Sequence, residues 1–245
     1  MTNMPKNAMV FAAGLGTRMR PITDTLPKPL VKVAGRTMLD HMLDRLAEAG
    51  VEQAIVNVHH LPDMIERALE RRMRDGRAHP RIVVSDERAK LLDQGGGIRK
   101  VLPLLGAAPF FICNTDALWL EGPRPALTAL ADAWRPEEMD VLLLVAATTT
   151  SVGVDWPGDF LMTPDGRLIK RAERETAPFV YAGVGIVKPQ LFEAAREDVF
   201  RLAPYFFAAA EMGRLFGVRL SGAWLHVGAP PAIEEAERAI ARSTG

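Results

Sequence analysis

The residues with the clearest chemical potential lie in one short stretch near the start of the chain. An apolar run, Met9 to Ala13, predicts a buried strand, and the turn Gly14-Leu15-Gly16-Thr17-Arg18 follows it. Glycines let a backbone turn tightly and bring its N–H groups close to a ligand. Successive N–H groups in such a turn form a concave anion site. With the positive charges of Arg18 and Lys28 added, the stretch predicts a site for a polyphosphate.

Two familiar phosphate-binding loops do not fit this stretch. The Walker motif requires Gly-Lys followed by Ser or Thr, which is absent here. The dinucleotide-binding motif requires a third glycine, where this chain has Met19. A plain surface turn would explain two glycines, but Pro27 and Pro29 flank Lys28 and predict that it is held in an extended segment.

The segment AAGLGTRMRP, followed by PKPLVKVAGRTML, resembles the N-terminal signature of the sugar-1-phosphate nucleotidyltransferases. Within that family the chain most resembles the short bacterial N-acetylmuramate 1-phosphate uridylyltransferases and their mannose- or heptose-1-phosphate guanylyltransferase relatives. The resemblance implies Arg18 and Lys28 as catalytic residues and a set of residues around the triphosphate. That set comprises Ala12, Ala13, Gly14, Gly16 and Thr17.

Composition limits the classes of protein that the sequence can encode. The 245 residues are 48% hydrophobic and 24% charged, as is usual for a globular protein. Lys plus Arg and Asp plus Glu each total 30, so the chain lacks the basic excess of a general nucleic-acid binder. A single cysteine, Cys113, excludes a disulfide within the chain. Without an apolar stretch long enough for a membrane span or a signal peptide, a cytoplasmic protein with no membrane partner is expected.

Apolar periodicity in the first half alternates between the strand and helix types. It predicts helices over Thr37 to Ala49 and Leu61 to Arg74, and strands over Ala54 to Val58 and Arg81 to Ser85. This order is typical of a doubly wound, mixed but mostly parallel sheet, as in a Rossmann-like α/β fold. We expect one domain over residues 1–245, with a nucleotide-binding half over about 1–122 and a sugar-phosphate-binding half over about 123–245.

The second half is less regular in its patterns. A helix is expected over Arg124 to Trp134 and strands over Val141 to Ala147 and Phe179 to Val187. Pro164-Asp165-Gly166 predicts a hairpin turn. Ala203 to Met212 is expected to form a helix. The resemblance implies that the enzyme contacts the sugar phosphate through Asn114, Glu173 and Gly183.

A second glycine-rich stretch, Leu92 to Gly97, precedes a predicted helix over Ile98 to Leu104. Three consecutive glycines are costly unless the backbone must pass close to something. A flexible loop would explain them equally well from the residues alone. In the resembling family a glycine-rich turn at this point packs against the nucleobase, which implies that Gln94, Gly96 and Gly97 recognise the base.

Asp116 follows the apolar strand Pro109 to Cys113. Aspartate favours helix caps and turns, so a structural role is one interpretation. A nucleoside triphosphate brings magnesium, which prefers oxygen ligands, and the resembling family places a metal-binding aspartate after this strand. The resemblance therefore implies that Asp116 is a catalytic residue that holds Mg²⁺.

Near the C-terminus, Trp224-Leu225-His226-Val227-Gly228-Ala229-Pro230 is expected to open the last helix, which runs to about Ala241. The family has an aspartate at the position of His226, where it is the second metal ligand. Three roles for His226 stay open: a metal ligand, a contact to the α-phosphate, or a structural residue. Imidazole ligands favour manganese or cobalt over magnesium. Because the sequence ends soon after this helix, we do not expect the C-terminal β-helix that some members of the family carry.

Together these features predict an enzyme that joins a nucleoside triphosphate and a sugar 1-phosphate and releases pyrophosphate. UTP with N-acetylmuramate 1-phosphate, in the recycling of cell-wall sugars, is the first choice of substrates. GTP with mannose- or heptose-1-phosphate is the alternative. A non-catalytic sensor of nucleotide sugars is the alternative from another class, and His226 favours it. A monomer or small homo-oligomer is expected.

Overall fold

The chain alternates strands and helices through its first half, as its apolar pattern predicts. The structure, a computed structural model, describes residues 4–243. The first three and last two residues of the predicted domain lie outside the described residues. The strands are β1 Asn7–Phe11, β2 Lys32–Val33, β3 Arg36–Thr37, β4 Gln53–Val58, β5 Arg81–Asp86, β6 Phe110–Asn114, β7 Ala117–Leu120, β8 Val141–Ala147, β9 Phe160–Met162, β10 Leu168–Lys170, β11 Phe179–Val187, β12 Leu215–Arg219 and β13 Ala223–His226. The helices are α1 Met38–Glu48, α2 Pro62–Arg74, α3 Asp93–Leu105, α4 Ala126–Ala133, α5 Gln190–Glu193, α6 Ala203–Glu211 and α7 Pro231–Ser243.

Nine of these strands form one mixed sheet. Its first part, in the order β6-β1-β4-β5, is parallel. Strand β11 pairs antiparallel with β6 and carries the sheet on to β8, β9 and β10, and β12 pairs parallel with β8. Gly166 has a φ of 90° in the predicted hairpin between β9 and β10. The predicted mixed, doubly wound sheet is therefore confirmed.

Helices cover both faces of the sheet. On one face α1, α2 and α4 bury their apolar stripes, with Leu43, Ile65 and Leu130 fully buried. On the other face α3 and α6 do the same, with Ile98 and Ala209 fully buried. Burying apolar side chains on both faces is what makes the parallel strands apolar along their whole length.

The strand order reverses direction at β1. The chain leaves β1 toward β4 and β5 on one side, and later returns to place β6 on the other side. Phe11 at the end of β1 lies in register with Asn114 at the end of β6. Ligands in open α/β sheets bind at such a switch point, beyond the carboxyl ends of the strands. The glycine turn and the Asn114–Asp116 segment both begin there.

Two predicted element boundaries are wrong. The glycine-rich stretch is not a turn before a helix, because α3 already begins at Asp93 and contains Gly95, Gly96 and Gly97. The segment Ala223–His226 does not open the last helix but forms β13, which pairs antiparallel with β7. No helix within residues 4–243 is long and apolar enough to cross a membrane.

Candidate active site

The loop after β1 has the conformation of an anion-binding turn. Gly16 has a φ of 64°, and a Cβ atom there would come within 3.0 Å of the Thr23 side chain. The Thr23 hydroxyl donates to the Gly16 carbonyl at 2.8 Å. Within the described residues, the backbone N–H groups of Gly14 and Leu15 have no hydrogen-bond acceptor in the protein. These N–H groups are therefore available to a ligand.

Gly14, unlike Gly16, has no contact within the protein that a side chain would disturb. A Cβ atom built on Gly14 would meet no protein atom within 4 Å, and its backbone is not in the left-handed region. Neither packing nor strain therefore requires a glycine at this position. Close approach of a ligand to the backbone would require one.

A buried polar network fixes the start of this loop. The Asn57 side chain accepts a hydrogen bond from the Ala12 N–H at 2.8 Å and donates to Glu87 Oε1 at 2.9 Å. The other oxygen of Glu87 accepts from the Leu92 N–H at 3.1 Å. Both Asn57 and Glu87 are at most 3% exposed. The network therefore ties the loop after β1 to the segment that leads into α3.

Lys28 and Asp116 form an ion pair at the floor of the site. Lys28 Nζ lies 2.6 Å from Asp116 Oδ2, and the two side chains are 13% and 24% exposed. Burial opposes ionisation of Asp116, but the charge and hydrogen bond of Lys28 outweigh it and hold the pKa of that carboxyl below its ordinary value. Lys28 does not lie in an extended segment as predicted. It begins a 3₁₀ turn, Lys28–Leu30, after the extended Pro27.

These groups surround a cavity of about 420 Å³ at the switch point. That volume falls within the range of small-molecule sites in proteins. Of the residues predicted to form the site, those lining the cavity are Ala12, Ala13, Gly14, Gly16, Arg18, Lys28, Gln94, Asn114 and Asp116. The cavity thus combines free N–H groups, two cations and two carboxylates, those of Asp116 and of Asp93 at the start of α3.

His226 lies beside this cavity at the end of β13, where it pairs with Ala117 of β7. Its ring packs against Trp156 and Trp224, with centroid separations of 5.2 and 5.1 Å. Burial and the nearby cations Lys28 and Arg18 lower the pKa of His226, against the opposing effect of Asp116. This environment therefore favours the neutral imidazole.

Comparisons with known proteins identify the family. The chain matches the MobA-like NTP transferase domain over residues 8–201. It is 48% identical over 243 residues to the N-acetylmuramate alpha-1-phosphate uridylyltransferase of Caulobacter vibrioides, covering 99% of this chain and 100% of that one. The chain belongs to the MobA-like nucleotidyltransferase family. The resemblance to sugar-1-phosphate nucleotidyltransferases is thereby confirmed.

Other relatives of this nucleotidyltransferase agree with that placement. The N-acetylmuramate alpha-1-phosphate uridylyltransferase of Neisseria meningitidis is 34% identical over 94% of this chain and 96% of its own length. The mannose-1-phosphate guanylyltransferase catalytic subunit beta of Danio rerio is 27% identical, and the match spans 61% of its length. The crystal structure of an apo UDP-glucose pyrophosphorylase shares the fold, with a TM-score of 0.80 at 17% identity over 99% of this chain and 100% of that one.

Gly96 and Gly97 of α3 do not line the cavity of the nucleotidyltransferase, although they were predicted to recognise the base. A Cβ atom on Gly96 would come within 3.0 Å of the Asp198 carbonyl oxygen, and one on Gly97 would come as close to Glu87 Oε1. Both glycines are buried and neither belongs to the cavity lining described above. Their lack of side chains is therefore explained by close packing within the protein, while Gln94 of the same helix does line the cavity.

Three other predicted residues lie outside the cavity lining. Thr17 begins the short 3₁₀ helix Thr17–Met19 that follows the glycine turn. Gly183 has a φ of 82°, and a Cβ atom there would come within 3.0 Å of Ala117. It therefore allows β11 to pass beneath the turn that carries Asp116. Glu173 is exposed on the loop between β10 and β11.

Sequence reasoning missed several residues that shape the site. Asn57 lines the cavity and holds the Ala12 N–H, and Glu87 holds Asn57. The Thr115 hydroxyl donates to the Phe11 carbonyl at 3.0 Å and so links the ends of β1 and β6. The sequence offered one local signal for this network. Asn57 is a polar residue near the end of an apolar strand, and a buried amide requires hydrogen-bond partners.

Proposed function

We propose that this nucleotidyltransferase joins UTP and N-acetylmuramate 1-phosphate to give UDP-N-acetylmuramate and pyrophosphate. The 48% identity to the Caulobacter vibrioides enzyme, over the full length of both chains, is the observation that carries the proposal. GTP with mannose- or heptose-1-phosphate is the second candidate, favoured by the weaker similarity to mannose-1-phosphate guanylyltransferases. The cytoplasmic location and the monomer or small homo-oligomer stay predictions.

The chemistry requires little from the protein beyond position and charge. An oxygen of the sugar 1-phosphate attacks the α-phosphorus of the triphosphate, a new P–O bond forms, and the bond to the β-phosphate oxygen breaks with release of pyrophosphate. A phosphate monoester has a second pKa of about 6, so the nucleophile is already charged near neutral pH. No general base is needed, and catalysis consists of alignment and charge stabilisation.

The residues of the cavity supply both the alignment and the charge stabilisation. The N–H groups of the loop after β1, together with Arg18, would hold the triphosphate oxygens. Lys28 is already positioned by its 2.6 Å ion pair with Asp116, so its charge can stabilise the α-phosphate as negative charge builds up there. Gln94 lines the same cavity and donates from Nε2 to Asn114 Oδ1 at 2.9 Å. We assign Gln94 to the base, and Asn114 to the sugar phosphate.

A divalent metal fits this site only as a partner of the triphosphate. No group of three or more His, Cys, Asp or Glu side chains within residues 4–243 is arranged to hold a metal ion. Asp116 and His226 would hold the ion, and the phosphate oxygens would complete its coordination. When bound, Mg²⁺ would neutralise charge on those oxygens. The imidazole at position 226 leads us to expect a gain with Mn²⁺ or Co²⁺.

A pyrophosphate-release assay over a panel of triphosphates and sugar 1-phosphates tests the proposal. UTP with N-acetylmuramate 1-phosphate should give the highest kcat/KM. Turnover of GTP with mannose- or heptose-1-phosphate alone would instead support the second candidate. Binding of the nucleotide sugar without turnover of any pair, with Mg²⁺ or Mn²⁺, would indicate a sensor and refute the enzyme.

A further inference from the structure

A second cavity, of about 270 Å³, adjoins the first. The Gln94 side chain lines both cavities and is held in place by its hydrogen bond to Asn114. The walls of the second cavity come from the β9–β10 hairpin, from Tyr181 of β11 and from Phe206 and Phe207 of α6. A molecule that places its phosphate near Asp116 could therefore extend past Gln94 into this second space.

Among the described residues, Asp159 is the carboxylate that lines the second cavity, and each of its oxygens accepts a hydrogen bond from the protein. Asp159 Oδ1 accepts a hydrogen bond from Trp156 Nε1 at 3.1 Å. Asp159 Oδ2 accepts one from the Tyr181 N–H at 2.9 Å. Asp159 thus positions the start of β11 and does not neutralise a cation across the cavity.

Among residues 4–243, no carboxylate pairs with the cations that line the second cavity. Arg171 donates to the backbone carbonyls of Gly158, Ala172 and Glu175, which fixes the loop around it. Lys170 Nζ lies 4.1 Å from the centroid of the Phe207 ring, and it has no carboxylate partner within the described part of the chain. Lys170 therefore offers an ammonium group, already positioned over an aromatic ring, to an anionic ligand.

Tyr181 supplies an independent sign that a polar ligand belongs here. Its hydroxyl oxygen is buried and has no hydrogen-bond partner in the protein. Its ring packs edge-on against Phe206 at a centroid separation of 5.6 Å, which fixes its direction. Burial, with Cys113 and Asp116 nearby, raises the pKa of Tyr181, so the hydroxyl is protonated and available as a donor. A buried polar group without a partner is costly, and a bound acceptor removes that cost.

We propose that the second cavity takes the acidic side arm of the sugar substrate, whose carboxylate pairs with Lys170 and accepts a hydrogen bond from the Tyr181 hydroxyl. This inference rests on the proposed function, because N-acetylmuramate differs from N-acetylglucosamine by an ether-linked lactic acid group. The second cavity would therefore select the sugar acid over the neutral sugar.

Calorimetric binding of UDP-N-acetylmuramate and UDP-N-acetylglucosamine tests the inference without requiring turnover. The native protein should bind the acidic ligand more tightly. Lys170→Met should reduce the ratio of the two affinities by about tenfold or more, since a hydrogen bond to a charged group is lost. The matched control is Lys32→Met, which removes the same charge from an exposed lysine outside both cavity linings and should leave the ratio unchanged.

Tyr181→Phe removes only the hydroxyl. It should also lower the affinity ratio, while the melting temperature stays equal to that of the native protein or rises, because a buried donor without a partner is removed. A native protein that binds both ligands equally, or an equal weakening of both ligands by Lys170→Met, would overturn the inference and leave the proposed function standing. Binding of neither ligand by the native protein would overturn both.

Discussion

Replacing Gly14 by alanine adds one methyl group at the point where we place the triphosphate. The methyl group meets no protein atom within 4 Å and introduces no backbone strain. The free energy of unfolding should therefore change by less than about 0.5 kcal/mol, as for other substitutions that disturb no packing. The effect should appear in binding, since the methyl group separates the loop N–H groups from the phosphate oxygens.

The size of that effect follows from the hydrogen bonds at stake. Loss of one hydrogen bond to a charged group costs about 1.5–3 kcal/mol. That corresponds to a fall of roughly 10- to 150-fold in the affinity for UTP. Calorimetry of UTP binding, with thermal unfolding of the same preparations, measures both quantities.

Gly96→Ala is the matched comparison, because it places the same methyl group against the protein. The new Cβ would come within 3.0 Å of the Asp198 carbonyl, a backbone atom that cannot rotate away. Overpacking of this kind costs up to about 3 kcal/mol. The better helix propensity of alanine offsets about 1 kcal/mol of it. A net loss of about 2 kcal/mol lowers the melting temperature by about 4–8 °C in a chain of this size.

The pair of variants can refute the reasoning in two ways. Unchanged UTP affinity in a stable Gly14→Ala protein would show that the loop after β1 does not approach the triphosphate. A Gly96→Ala protein as stable as the native one, but unable to bind UTP, would restore a direct role for the α3 glycines in base recognition.

Three further predictions concern the charged groups of the site. Lys28→Ala should lower kcat by about 100-fold or more while weakening UTP binding much less, since the charge of Lys28 acts on the transition state. Lys32→Ala is the control. A kcat of Lys28→Ala within about threefold of the native value would exclude that role. His226→Asp should raise the ratio of the Mg²⁺-supported rate to the Mn²⁺-supported rate, and a ratio shared by native, His226→Asp and His226→Ala proteins would exclude a metal role. Because the pKa of Asp116 lies below its ordinary value of 3.8, its contribution to stability is complete above that pH and is lost as pH falls through the lower, folded-state pKa. The difference in unfolding free energy between native and Asp116→Asn proteins should therefore shrink as the pH falls below 3.8, and a constant difference would contradict the linkage.

Local patterns predicted the parallel half of the sheet and the position of the site. The apolar runs of β1 and β4 and the stripes of α1 and α2 are short-range signals, so sequence periodicity reveals them. The Gly14–Arg18 turn and Asp116 each follow a buried strand, and parallel topology brings those strand ends to one edge.

Long-range packing accounts for what the sequence did not reveal. Gly96 has the local signature of a loop, yet tertiary contact with the Asp198 carbonyl makes a small helical residue necessary there. His226 belongs to a strand only because β7 lies beside it, more than a hundred residues earlier in the chain. Asn57 reaches Ala12 across 45 positions, and no local pattern shows such a partner.

The network of Asn57 and Glu87 has a consequence for the thermodynamics of nucleotide binding. Because it fixes the loop before any ligand arrives, the conformational entropy of ordering that loop is lost during folding and not during association. UTP should therefore associate with a single-exponential time course whose rate rises linearly with its concentration. Removing the amide in Asn57→Ala would transfer the ordering cost to the binding step, so the affinity for UTP should fall.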